Sequence, residues 1–244
     1  MNHLVIGMGE IGNAVYELIG TNSSDTLYSF DSKDGERVDI PRDLSVMHIC
    51  FPFSDNFVKQ VKEYIVQYEP RHIIIWSTVA IGTTRLLKHN VVHTPVEGRH
   101  PKLLRSLQIM HRWLGSTSLA ELKFFGDYFQ KLGLRPRKIP HPETTEALKL
   151  LSTTKYGINL VFADYMNQVL TEVGGDYELS KQWDKDYNEL YRALKMPQFQ
   201  KYVLDPPGGR IGGHCVRENA MILQEDYDDD ILDLIVGMKG ANDE

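Results

Sequence analysis

One of the chain's two cysteines stands in the stretch PPGGRIGGHCV, Pro206 to Val216, among two prolines, four glycines and a histidine. Glycines on both sides of a thiol allow a substrate close approach, and His214 and Arg210 near Cys215 would favour the thiolate, which is the nucleophile. The same stretch is also compatible with a surface loop that carries an incidental cysteine. A second stretch, GMGEIG from Gly7 to Gly12, has G-x-G-x-x-G spacing. Gly7 permits a tight turn, Gly9 lets backbone amides approach a diphosphate, and Gly12 allows close packing of helix on strand. The phosphates would sit at the helix N-terminus, beside Glu10 and Ile11.

The glycine motif is weak alone, because three glycines also make a tight turn that holds nothing. Its context strengthens it. The apolar run Leu4 to Ile6 precedes it, and Ile11, Val15 and Ile19 follow at helical spacing. Asp31 ends the next strand-like segment, 19 positions after Gly12, where a carboxylate binds the adenosine ribose hydroxyls. Such a carboxylate repels a 2′-phosphate, so the pattern predicts NAD rather than NADP, a preference that Lys33 weakens slightly.

The elements that must position these groups alternate in type. TLYSFD, VMHICFPF, HIIIWSTV and NVVHTPVEG read as strands, with the helical NFVKQVKEYIVQY between two of them. Alternation of this kind predicts βαβ units and a mostly parallel, doubly wound sheet of Rossmann type. CFPFS, with Pro52, would lie along the cofactor, as loops at strand C-terminal ends do. SLAELKFFGDYFQKLG reads as a helix, RPRKIP as a short last strand, and Glu143 to about Val173 as one long helix. A further amphipathic segment carries Trp183, Tyr187 and Tyr191 at four-residue spacing, a stripe read as core or subunit interface before ligand platform.

Composition bounds the function. The chain has 244 residues, net charge -6 and nine histidines, with 42% hydrophobic and 25% charged residues, which is globular and without a basic footprint for nucleic acid. No apolar run approaches the roughly 18 residues of a membrane span, and the N-terminus shows no signal-peptide pattern, so a cytoplasmic location is expected. Cys50 and Cys215 are expected to be free thiols.

Taken together, these stretches resemble the UDP-glucose/GDP-mannose 6-dehydrogenase family. GRIGGHC is similar to that family's G-x-G-G-x-C nucleophile loop, GMGEIG to its cofactor loop, and WSTVAIGTT, with Ser77, Thr78 and Gly82, to its S-T-V-x-x-G-T-T segment. TEALKLLSTTKYGINLVF resembles its central helix and places Lys149 on the catalytic lysine. The resemblance implies oxidation of a primary alcohol to an aldehyde, capture by Cys215 as a thiohemiacetal, a second oxidation to a thioester, and release of the acid by water. Lys149 would stabilise the developing oxyanion.

The departures carry information. Thr153 stands where the family has an asparagine, and Asn219, beside Glu218, where it has an aspartate; an amide cannot accept a proton at neutral pH, so hydrolysis would need Glu218 or another base. In TPVEGRHP the substrate loop keeps Pro95 and Arg99 but has Val96 and His100 at acidic positions. PVEG is similar instead to the loop of the β-hydroxyacid dehydrogenases, which place a carboxylate-binding residue where Glu97 stands. The family's third, nucleotide-gripping domain has no counterpart in this chain, so the substrate is expected to be smaller than a sugar-nucleotide or the chain to work in an assembly.

The resulting expectations are a cofactor domain over 1–140 and a helical domain over 141–244 that pairs in a homodimer. Cys215, Lys149, Thr153, Glu218 and Asn219 are catalytic candidates, and Glu97, Arg99, His100, Arg210 and His214 are candidate substrate contacts. No metal site is expected. Two alternatives stay open: a β-hydroxyacid-type dehydrogenase that uses Lys149 without Cys215, and a non-catalytic NAD-binding protein.

Overall fold

Four short runs in the first half of the chain are buried on successive residues: β1 (Asn2–Ile6), β3 (Val46–Ile49), β4 (His72–Ile75) and β5 (Val91–His93). Strands buried on both faces belong to parallel sheets covered by helices. The computed structural model, which describes residues 1–33, 40–99, 101–211 and 215–240, shows such a sheet. Seven strands run in the order β2-β1-β3-β4-β5-β6-β7, with β2 at Thr26–Phe30, β6 at His111–Gly115 and β7 at Arg135–Ile139. Strands β1 to β5 are parallel, β6 is antiparallel to β5, and β7 is parallel to β6.

Side-chain alternation divides the core between the two faces. Val5, Val46, Ile74 and Val92 pack with Val15 and Leu18 of α1 (Glu10–Asn22), Leu107 of α4 (Leu103–Ile109) and Phe125 and Phe129 of α5 (Leu119–Lys131). Leu4, Ile6, Met47, Ile49, Ile73 and Ile75 pack with Phe57 and Val61 of α2 (Phe57–Tyr68). The first face also buries a polar chain. Trp76 Nε1–H donates to His48 Nδ1 at 3.1 Å, which leaves His48 Nε2–H to donate to His3 Nδ1 at 3.0 Å, and His3 Nε2–H to donate to Asp25 at 3.2 Å. One indole donor thus fixes both tautomers, and burial pulls both imidazoles below their ordinary pKa.

The chain divides into two compact units, Met1–Lys149 and Leu150–Glu244, inside α6 (Pro142–Glu172) and nine residues beyond the expected boundary at 140. The second unit is helical among the described residues. It contains the rest of α6, α7 (Tyr177–Ala193), a 3-10 turn (Pro197–Phe199), α8 (Val216–Gln224) and α9 (Asp230–Val236). Its core is Ile211, Val216, Ala220 and Ile235 with Ile158 and Val161 of α6. Gly157 makes this packing possible, since a Cβ there would lie 2.7 Å from Val216 and 2.9 Å from Ile235. No residue of α7 is buried: Trp183 is 65% exposed, and the aromatic stripe packs along itself from Trp183 through Tyr187 and Tyr191 to Phe199. The stripe is therefore not core in this chain.

Candidate functional site

The strand order reverses its winding between β1 and β3, and in open α/β sheets the crevice beyond that point receives ligands. The glycine motif lies there. Gly7 leaves β1 at φ +91°, and a Cβ on it would lie 2.7 Å from Phe51 N in the loop after β3. A Cβ on Gly12 would run into the Gly7 carbonyl, so helix and turn need that glycine to pack. Gly9 differs: a Cβ there meets nothing within 4 Å. As N-cap of α1 it also brings no side chain to the first-turn N–H groups. Packing therefore accounts for Gly7 and Gly12 but not for Gly9.

Asp31 follows β2 and reaches the same turn. Its Oδ2 accepts from Met8 N–H at 2.7 Å and its Oδ1 from Lys33 N–H at 3.0 Å. These two backbone bonds, Lys33 first, hold its carboxyl below the ordinary range and keep it charged. Each oxygen retains a second lone pair, so the carboxylate can still receive ribose hydroxyls. Pro52 is exposed on the loop after β3, Glu10 is exposed, and Ile11 is half-buried against the core. The space at Gly9, the helix start and the charged Asp31 fit a dinucleotide.

Ser77 is also brought to this crevice, in a structural role. It is buried, and its hydroxyl donates to the Phe51 carbonyl at 2.6 Å, tying the loops after β3 and β4 together. Half-buried Thr78 follows it. Burial pushes the Cys50 thiol upward, which makes it an inert core residue.

In the loop after β5, Pro95 and Val96 are buried and Arg99 is exposed, with Arg99 N–H donating to Ser106. Glu97 is engaged by a residue the sequence reading missed. Arg112 of β6 is 0% exposed, donates to the Pro95 carbonyl at 3.3 Å and faces Glu97 Oε2 at 3.4 Å. Desolvation lowers its pKa and Glu97 opposes that shift. The Glu97 charge is thus answered from within the fold.

Lys149 is half-buried on α6, and the turns that precede it are tied to the sheet. Thr145 Oγ1 lies 2.7 Å from His93 Nδ1, while His93 Nε2 lies 3.2 Å from the Ser77 carbonyl. Buried Glu146 receives three donors from the turn at the start of α3 (Thr83–Leu86): Gly82 N–H at 2.6 Å, Thr84 N–H at 2.8 Å and Thr84 Oγ1–H at 2.6 Å. Glu143 also pairs with Arg85. Neither His93 nor Glu146 was singled out in the sequence.

The second unit holds the other candidates. Cys215, partly exposed, is the N-cap of α8. Asn219 is buried, and its Nδ2–H donates to Thr153 Oγ1 at 3.1 Å, so the two positions that depart from the family pattern are bonded to each other. Glu218 is exposed on a different face of α8, and Arg210 is exposed. The base of the cysteine loop is fixed by Asp164 of α6, which accepts from Gly208 N–H at 2.8 Å and Gly209 N–H at 2.5 Å. Ile211 N–H donates to the Lys239 carbonyl at 2.9 Å. His100 and His214 lie outside the described residues. Among the described residues no group of three or more side chains could hold a metal ion, and no helix is long and apolar enough to cross a membrane.

No protein-family model matches this chain, and no curated protein matches it by sequence. Solved structures match its fold. UDP-D-ManNAc dehydrogenase from Pyrococcus horikoshii is similar at TM-score 0.79 and 17% identity, over 97% of this chain and 67% of that one. The UDP-N-acetyl-mannosamine dehydrogenase Cap5O from Staphylococcus aureus is similar at TM-score 0.73 and 15% identity, over 96% and 66%. The 3-hydroxyisobutyrate dehydrogenase from Mycobacterium tuberculosis is similar at TM-score 0.67 and 11% identity, over 92% and 86%. At these identities the likeness is one of fold. The chain spans about two thirds of the length of the two sugar-nucleotide dehydrogenases.

Proposed function

We propose that this chain is an NAD-dependent dehydrogenase that oxidises a primary alcohol on a sugar or sugar-like substrate. The observation that carries the reading is Gly9, a glycine that packing does not require, at a helix start facing the charged Asp31. Solved dehydrogenases of the same fold support it. Gly7 to Gly12 would hold the diphosphate and Asp31 the adenosine ribose. NAD, when bound, supplies the hydride acceptor. The Lys149 ammonium would stabilise the alkoxide as the hydroxyl proton leaves. The Cys215 thiol would add to the aldehyde carbon to give a thiohemiacetal, the route to a thioester after a second oxidation.

A second reading rests on one bond. The Asn219 amide donates to Thr153, so the position where the resemblance implies an aspartate for hydrolysis holds a buried amide bonded to a hydroxyl, and Glu218 faces solvent instead. Neither member of the pair takes up a proton at neutral pH. This favours an oxidation that ends at the carbonyl, as in a β-hydroxyacid-type enzyme.

Reduced cofactor formed per substrate consumed decides between the two readings, over a panel of UDP- and GDP-sugars, free sugars and small hydroxy acids. Two per substrate, falling to one in Cys215→Ser, supports the thioester route. One per substrate, unchanged in Cys215→Ser, supports the second reading. Absence of turnover across the panel, with NAD still bound, overturns both in favour of a non-catalytic NAD-binding protein. The exposed apolar side chains of α6 and α7, among them Phe162, Tyr165, Leu179 and Trp183, support a homodimer, which sedimentation tests.

A further inference from the structure

Lys149 leaves α6 one turn after two buried polar residues, and each is bonded to a different part of the crevice. Thr145 meets His93, which in turn meets the Ser77 carbonyl. Glu146 closes on Gly82 and Thr84 through three hydrogen bonds of 2.6–2.8 Å from a segment more than 60 residues earlier in the chain. A Cβ on Gly115, at the end of β6, would lie 2.8 Å from Pro142 Cα, so the helix start sits directly on the sheet. Burial raises the Glu146 pKa, and its bonds to Thr84 and Gly82 oppose that rise. Gly82 takes φ +90°, the left-handed turn that aims its N–H and that of Thr84 at one carboxylate. A carboxylate that only needed satisfaction could find it in water at the helix surface. This one is buried and joins the loop after β4 to the helix turn that carries Lys149.

We propose that Glu146 is a positioning residue for Lys149: by fastening the first turns of α6 to the Gly82–Thr84 turn, it sets where the lysine ammonium stands relative to the cofactor crevice. The inference rests on the role given to Lys149 above. Its geometry lies wholly within the sheet-bearing unit. Glutamine at this position keeps the size but replaces one acceptor oxygen by an N–H₂ that confronts a donor, so the turn must shift. A displacement of about 1 Å in a catalytic group costs on the order of a hundredfold in rate.

The test uses the full chain in three forms: wild type, Glu146→Gln, and the milder Thr84→Val, which removes one of the three bonds. Two quantities are read. One is kcat with KM for NAD. The other is the NMR resonance of ¹³C-methylated Lys149, assigned by its disappearance in Lys149→Arg. The proposal expects kcat to fall about tenfold to a hundredfold in Glu146→Gln and less in Thr84→Val, with KM for NAD changed by less than about twofold. The Lys149 resonance should move in the same order. A purely structural Glu146 would lower the melting temperature while leaving both the kcat of folded protein and the lysine resonance in place, and that result overturns the proposal. If Glu146→Gln does not fold, Thr84→Val decides by the same two readouts. Wild-type protein without turnover on any alcohol would overturn the proposed function instead, and the lysine resonance alone would then decide whether Glu146 positions it.

Discussion

The buried imidazole of His93 should make this protein acid-labile by an amount that can be worked out in advance. His93 is 0% exposed at the end of β5, held between Thr145 Oγ1 and the Ser77 carbonyl. Desolvation is the largest influence on it; the Ser77 carbonyl favours the charged form, Lys149 opposes it, and the pKa falls from 6.5 to about 4. The unfolded chain therefore takes up a proton near 6.5 while the folded chain waits until about 4. The stability this group contributes is complete above the unfolded value, declines as pH falls through the interval and is lost by about pH 4. Over about two and a half pH units, at about 1.4 kcal/mol each, the loss is about 3.5 kcal/mol. That is a large share of the roughly 5–15 kcal/mol that holds a typical domain together. Urea unfolding of wild type and His93→Asn between about pH 7.5 and pH 4.5 measures it, because asparagine keeps a hydrogen-bonding group that does not titrate. Wild type should lose about 2–3 kcal/mol more than the variant across that range. The His93 Hε1 resonance should stay at its neutral position through pH 6. Parallel pH profiles for the two proteins, or a His93 titration centred near 6.5, would refute the reasoning. His3 and His48 are depressed in the same direction and add to the acid sensitivity of both proteins equally.

Gly9→Ala should leave the melting temperature unchanged, because its Cβ meets nothing, yet weaken NAD binding by tenfold or more as measured by calorimetry. Gly12→Ala should instead lower stability by several kcal/mol, because its Cβ collides with the Gly7 carbonyl. Asp31→Asn keeps an acceptor for Met8 N–H while removing the charge, so the NAD-to-NADP affinity ratio should fall about tenfold with little loss of stability. Asn219→Asp restores a carboxylate beside Thr153; if a thioester forms and waits for a base, wild type should stop after about one turnover with two reduced cofactors per site, and the variant should turn over repeatedly at the same ratio.

What the sequence disclosed and what it hid divide along one physical line. The strand, turn and helix around Gly7 to Gly12, the acid at Asp31 and the long helix are local: neighbours in the chain decide them, and periodicity displays them. Asp31 shows the limit of that legibility, because its position could be read but its bond to Met8 N–H could not. The strand β6 was missed because HRWLG carries a charged residue at its second position, and Arg112 reads as surface until Glu97 and the Pro95 carbonyl are found beneath the loop. Glu146 is likewise an ordinary helix carboxylate in sequence, and only donors from Gly82 and Thr84 make its burial tolerable. The aromatic stripe is legible only in half: its spacing is right for packing, but nothing in the described residues buries it, so it is not core.

The residues that stayed hidden have a common location. His93, Arg112 and Glu146 all tie loops at the C-terminal edge of the parallel strands, to one another or to the start of α6. A loop bordering a ligand crevice cannot be fixed by apolar packing on its open side, so its anchors must be polar groups reaching from behind. Burying such groups costs several kcal/mol unless each finds its partner, which makes the anchoring all-or-none. In this chain the candidate chemistry is legible because it needs particular residue types at particular spacings. The anchors that aim it are not, because each is defined by a partner the local pattern does not contain.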